Sequence, residues 1–167
     1  MAKTISNLLA TQQLFEYYLQ LLKENKNAPY LVLAGYDAIG VPKHDKIKYL
    51  GFVSEAEKYS LLKSAQFLVM PSPFESLSLV TLESMACGTP VLVNGDCDVL
   101  KGHCIRSNAG LWYKNYNEFS ECVNFLSLNN IILNKMRDNG KKYIEKNYTW
   151  EKVEKKYLDL LDKMTKK

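Results

Sequence analysis

No pair of the four cysteines in this chain is spaced CxxC, and the close trio Cys97, His103 and Cys104 fits no common structural zinc pattern. Reduced thiols packed in the interior or beside a pocket are therefore expected, and no bound metal. No apolar run reaches the roughly 18 residues that cross a bilayer. The opening MAKTISNLLATQQLFEYY has neither a signal-peptide apolar core nor a small-residue cleavage site, so a cytoplasmic location is expected. G-x-G-x-x-G and the Walker loop are both missing, which removes the two commonest glycine-rich phosphate cradles. Internal repeats and low-complexity stretches are absent as well.

What is present suits one globular domain over residues 1–167, with 47% hydrophobic and 24% charged residues. The net charge of +4 is uneven: from Lys135 onward there are eleven Lys or Arg against six Asp or Glu. Such a basic end suits phosphate, nucleic acid or an anionic membrane, or simply a solvated helix surface. Nucleic acid is the weaker reading, because no basic groove is interleaved with aromatics.

Along the chain, Leu8, Leu9, Leu14, Phe15, Tyr18, Leu19 and Leu22 recur at three- and four-residue steps and predict an amphipathic helix over 5–23. Short apolar strands follow at Tyr30–Gly35, Ile47–Phe52, Gln66–Pro71, Pro90–Val93 and within Gly110–Asn115. Ser54 with Glu57 three residues on forms a capping box that starts a helix. A helix over Leu79–Cys87 would end on Gly88. DVLKGHCIRSNAGLWY reads as a loop into the fifth strand, and helices close the chain at about 116–128, 131–147 and 149–163. In the last of these Val153, Tyr157, Leu160, Leu161 and Met164 share a face, a stripe for a partner or a membrane surface. Alternating apolar strands and helices define an α/β class, a Rossmann-like parallel sheet with helices on both faces. Ligands of such sheets sit beyond the C-terminal strand ends. Here that edge carries Gly35–Asp37, Gly51–Val53, Pro71–Ser78 and Asn94–Gly95. The chain opens on a helix where a nucleotide-binding half opens on a strand, which suggests a first strand left in a longer protein.

Glu75 and Glu83, eight residues apart, flank the start of the 79–87 helix in PSPFESLSLVTLESMACGTPVLV. The first N–H groups of a helix lack partners within it and carry the positive end of its dipole. They form a seat for an anion such as a diphosphate. A carboxylate accepts hydrogen bonds in pairs and so can grip a vicinal diol. Two carboxylates bracketing a phosphate seat suit a nucleotide-sugar, with a sugar diol on one side and a ribose diol on the other.

This stretch resembles the E-x7-E signature of retaining GT-B glycosyltransferases of group 1 (family 4). The match comprises Pro71-Ser72, Glu75, Glu83, Ala86, Gly88 and Pro90-Val91. YLGFVSEAEKYSLLKSAQFLVMPS extends it upstream, and the likeness covers about Tyr30 to Leu161. The resemblance implies the C-terminal, donor-binding domain of a two-domain hexosyltransferase, lacking here its N-terminal acceptor domain and first strand and inactive in isolation. By that resemblance Glu75 is the catalytic candidate and holds donor-hexose hydroxyls, while Glu83 holds the ribose diol. The backbone at Ser76, Leu77, Ser78 and Leu79 meets the diphosphate, and the base lies near Gly35, Gly51, Phe52 and Val53. The implied donor is an NDP-sugar, with UDP-hexose foremost, and the acceptor a glycan or lipid-linked acceptor. No cofactor or obligatory metal is implied. A peripheral contact with the inner face of a membrane fits such an acceptor.

Two features depart from the family pattern. Serine stands at 76 and 78 where glycine is usual, and the family's Arg–Lys pair that neutralises the diphosphate has no counterpart in the sequence. Lys101, His103 and Arg106 are candidates to supply that charge as phosphate or sugar contacts, and Asp98 corresponds only loosely to the family's Glu after the fourth strand. The alternatives are another GT-B enzyme, such as a nucleotide-sugar epimerase or a phosphorylase, and a non-enzymatic flavodoxin- or receiver-like module. A receiver would need an acidic residue where Met70-Pro71 ends the third strand.

Overall fold

A computed structural model describes residues 2–165. The elements are α1 (Ala2–Glu24), β1 (Leu31–Leu33), β2 (Ile47–Tyr49), α2 (Glu55–Ser64), β3 (Leu68–Met70), α3 (Leu79–Ala86), β4 (Val91–Asn94), α4 (Asp98–Ser107), β5 (Gly110–Tyr113), α5 (Tyr116–Leu128), α6 (Asn130–Asn147) and α7 (Trp150–Thr165). All strand pairs are parallel, as the apolar strands separated by helices require.

The strands form two ladders, β1–β2 and β3–β4–β5. Side chains alternate across β4, and that alternation sorts the interior into two cores. Leu92 faces Leu14, Tyr18 and Leu21 of α1 and Phe119, Val123 and Leu126 of α5. Val91 and Val93 face Leu82 and Met85 of α3, Leu100 and Cys104 of α4, and Tyr143 of α6. The central ladder thus has helices on both faces. Leu31 and Leu33 of β1 pack into the same cluster as Phe67 and Val69, so apolar contact continues between the ladders. The opposite side of the first ladder is open, with Val32 and Lys48 exposed.

Local signals explain the element ends that frame the site. At α2 the Glu57 carboxylate accepts from the Ser54 N–H at 2.7 Å and the Ser54 Oγ accepts from the Glu57 N–H at 3.3 Å, completing the capping box. At the end of α3, Gly88 adopts φ 75°; its N–H reaches the Met85 carbonyl at 3.0 Å and the Thr89 N–H reaches that of Ser84 at 2.8 Å. This is a Schellman motif, and its left-handed residue favours glycine. It turns the chain directly into β4.

The segment read as a loop before β5 is largely helix α4. Its inward face is Leu100, His103, Cys104 and Ser107, all buried. Those residues recur at helical spacing, but His103 and Ser107 are not ordinary core types, so the periodicity was concealed. The strands are shorter than expected, three residues for β1, β2 and β3. At the other end of the chain, α7 packs chiefly against α6 and buries none of its side chains. Tyr157, Leu158, Leu161 and Met164 are all more than half exposed.

Replacing Ser54 by Ala removes one half of the capping box and is expected to cost about 1 kcal/mol of stability. The check is urea denaturation, read as a lower midpoint at unchanged m-value.

Candidate functional site

Parallel pairing places the C-terminal ends of β3 and β4 side by side, with Met70 opposite Val93. The loop 71–78 therefore leaves the ligand edge of the sheet and re-enters as α3. It is fastened at three points. The Asn94 amide donates to the Pro71 carbonyl at 2.9 Å, the buried Ser72 hydroxyl donates to the Phe74 carbonyl at 3.0 Å, and the His103 Nε2 donates to the Leu77 carbonyl at 3.0 Å.

At the junction with α3, Ser78 lies in the left-handed region at φ 60°, ψ 77°. For a residue with a Cβ this costs about 1 kcal/mol or more, which is the steric reason glycine suits the position better. The Ser78 hydroxyl is turned inward and shares a 2.9 Å hydrogen bond with the Thr81 hydroxyl. It is thereby committed within the fold, while Ser76 is exposed. The Ser78 carbonyl accepts from the N–H groups of Thr81 and Leu82. Among the described residues nothing accepts from the N–H groups of Leu77, Ser78, Leu79 or Val80. Ser78 is only 7% exposed, so an unmatched donor there is costly unless a ligand or water meets it.

Glu75 is half-buried in the loop, and no partner among the described residues engages its carboxylate. Glu83 sits in the second turn of α3, about 6 Å along the axis from Leu79 at ~1.5 Å per residue. Its carboxylate is already engaged: Lys58 Nζ lies 3.1 Å from each oxygen, and the Tyr59 hydroxyl donates to Oε1 at 3.4 Å. Lys58 also pairs with Glu55 at 2.8 Å. Hydrogen bonds to these two carboxylates raise the Lys58 pKa, so its ammonium is fixed as a cation beside Glu83. Lys58 and Tyr59 escaped the sequence reading because nothing in the spacing of 58 and 83 announces contact. The capping box fixed where α2 begins, but not what its second turn meets.

The expected base region is assembled at the ends of β1 and β2. The Gly35 N–H donates to the Gly51 carbonyl at 2.7 Å and the Tyr49 hydroxyl to the Gly35 carbonyl at 2.8 Å. Phe52 beside them is 82% exposed, a free aromatic face, and Val53 is half-buried.

The candidate cations are not brought to the loop together. Lys101 sits over the Trp112 ring, 5.6 Å from its centroid. Arg106 lies in the last turn of α4 and lines an open cleft of about 390 Å³ with Asn139, Lys142, Lys146 and Asn147. His103 is fully buried, with both ring nitrogens engaged inside the fold, and reaches the loop only through the Leu77 carbonyl. Asp98 opens α4 and is exposed. Among the described residues no three His, Cys, Asp or Glu side chains gather as metal ligands. Burial pushes the Cys104 thiol up to about 12. No helix among them is long and apolar enough to cross a membrane.

With this geometry in hand, the comparisons with known proteins are specific. The family described as glycosyl transferases group 1 matches residues 11–143, and the chain belongs to that family. An uncharacterized glycosyltransferase of Methanocaldococcus jannaschii is 31% identical over 120 residues, which are 69% of this chain and 30% of that protein. Among solved structures, a sucrose-phosphate synthase from Thermosynechococcus elongatus aligns with TM-score 0.74 at 19% identity, over 90% of this chain and 42% of that one. Anabaena HepE, determined in complex with UDP-glucose, aligns with TM-score 0.73 at 14% identity, over 89% of this chain and 44% of that one. The fold is that of a GT-B group 1 glycosyltransferase domain, and this chain spans less than half of each of these proteins.

Burial lowers the His103 pKa from its ordinary 6.5, the neighbouring Arg106 charge pushes the same way, and the Leu77 contact opposes both. The folded state thus prefers neutral His103. Its contribution to stability is complete above the unfolded value of about 6.5 and is lost as pH falls through the lower folded value. Wild type is expected to lose more Tm than His103→Gln between about pH 7.5 and about pH 5.5, the window that spans the imidazole titration. Equal losses contradict this.

Proposed function

We propose that this chain is the donor-binding domain of a retaining hexosyltransferase that takes an NDP-sugar, with an acceptor domain supplied by another part of the protein. The observation that carries the reading is the run of unmatched backbone N–H groups from Leu77 to Val80, flanked by the carboxylates Glu75 and Glu83. The N–H groups and the N-terminal end of α3 take the diphosphate, whose negative charge grows as the sugar departs. Glu75, unengaged among the described residues, takes hydroxyls of the hexose. Glu83 takes the ribose diol. Its Oε1 already accepts two hydrogen bonds, so a ribose must displace Lys58 or Tyr59 in part. Lys58 keeps Glu55 as a partner when that happens. Phe52 offers its exposed ring to the base. UDP is the first nucleotide to test, because HepE was determined with UDP-glucose. The acceptor is a glycan or a lipid-linked acceptor. The uncovered apolar face of α7 is the surface left for the acceptor domain.

A thermal-shift and calorimetric panel of UDP, GDP, ADP and their hexose conjugates tests this. One nucleotide class is expected to bind. Glu83→Gln is expected to weaken nucleotide and nucleotide-sugar alike by about tenfold, the worth of a charged hydrogen bond. Glu75→Gln is expected to weaken the nucleotide-sugar while leaving the bare nucleotide unchanged. No binding by any member, or binding indifferent to both substitutions, would refute the donor site. The chain alone is expected to show negligible sugar transfer in a coupled nucleotide-release assay, and robust turnover would contradict the need for an acceptor domain.

A further inference from the structure

His103 is a polar side chain 1% exposed, at the middle of α4, with a partner on each nitrogen. Nε2 lies 3.0 Å from the Leu77 carbonyl oxygen and Nδ1 lies 3.1 Å from the Tyr143 hydroxyl. A carbonyl can only accept, so Nε2 carries the ring proton and Nδ1 accepts from Tyr143. The Tyr143 oxygen in turn accepts from Arg106 Nε at 3.3 Å. With the Tyr143 proton committed to His103, Tyr148, 3.4 Å away, donates to Tyr143. An unbroken chain of donors therefore runs from α6 through His103 to the loop before α3.

The far end of that chain controls a peptide plane. In a trans peptide the carbonyl of one residue and the N–H of the next point in opposite directions. Drawing the Leu77 carbonyl inward onto His103 turns the Ser78 N–H outward, away from α4, where nothing among the described residues accepts it. This orientation is also the one that places Ser78 at φ 60°. Flipping the plane by about 180° would carry Ser78 to φ near −120°, out of the left-handed region that side chains with a Cβ disfavour. The flip would also point a carbonyl, in place of an N–H, at the diphosphate seat. A serine here has a standing reason to flip that a glycine lacks.

We propose that His103 is a positioning residue of the donor site: its hydrogen bond to Leu77 locks the 77–78 peptide so that the Ser78 N–H is presented to the diphosphate. The inference rests on the donor-site reading above. It explains why a serine serves at a position better suited to glycine, and it gives His103 a role without contact to substrate.

The test uses two amides that match the two ring nitrogens. His103→Gln keeps a donor at the reach of Nε2, whereas His103→Asn retains a partner for Tyr143 and falls short of Leu77. The probe is whichever of UDP, GDP and ADP binds wild type, compared with its nucleoside by calorimetry. His103→Asn is expected to weaken the nucleoside diphosphate by about tenfold, the effect of losing a hydrogen bond to a charged group, and to leave the nucleoside unchanged. His103→Gln is expected to stay close to wild type, and adding Ser78→Gly to His103→Asn is expected to recover most of the loss by removing the drive to flip. Equal weakening of nucleoside and diphosphate, or wild-type affinity in His103→Asn, overturns the inference while leaving the donor site intact. Absence of binding by wild type overturns the donor site, and this inference with it. Amide NMR of wild type needs no variant to fold: the Ser78 proton is expected to shift downfield on adding the diphosphate, and a stationary Ser78 resonance overturns the inference.

Discussion

At Ser78 the backbone turns left-handed, and the chain passes from the edge of β3 into α3 without using the amide donors on either side of the turn. The features of the candidate site depend on that passage. Parallel pairing of β3 with β4 sets where the loop begins, and the Schellman turn at Gly88 sets where α3 must end. A helix of only eight residues between those limits has its open end directed at the ligand edge. The cost of a strained serine is met by buried contacts that over-determine it. Thr81 holds its hydroxyl, and His103 holds the carbonyl before it.

The electrostatics of the site are organised around Glu83. Lys58 binds both of its oxygens and Glu55 besides, so one ammonium sits between two carboxylates on adjacent helices. Such an arrangement holds the acidic group in a charge-compensated state. It also fixes a cation beside the second turn of α3. Glu75 is treated differently. Among the described residues it has no compensating partner, and its side chain is half-exposed.

Much of this was legible from residues alone, for reasons that differ by element. Pro71-Ser72, the two glutamates and Gly88 are backbone and charge signals that act locally, so the loop, α3 and its cap followed from spacing. The capping box at Ser54 likewise acts within four residues. The helix α4 was hidden because its buried face is built from His103, Cys104 and Ser107, whose burial depends on partners far away in sequence. Tyr143, 40 residues from His103, supplies one of them. The Lys58–Glu83 pair spans 25 residues and carries no local signature. The division of the strands into two ladders was similarly out of reach, since short apolar strands signal a parallel sheet without saying which neighbours share hydrogen bonds. Lys101 and Arg106 were grouped by sequence proximity, and the helix separated them, one over Trp112 and the other toward α6.

The most direct measurement is a crystal structure of the chain with UDP-glucose, or with the conjugate of whichever nucleotide binds. The account predicts diphosphate oxygens at about 3 Å from the Ser78 and Leu79 N–H groups, the usual N–H···O separation, with ribose hydroxyls on Glu83 and the hexose against Glu75. A nucleotide lodged elsewhere, for example in the basic cleft of Arg106, Lys142 and Lys146, with both glutamates untouched, would contradict it.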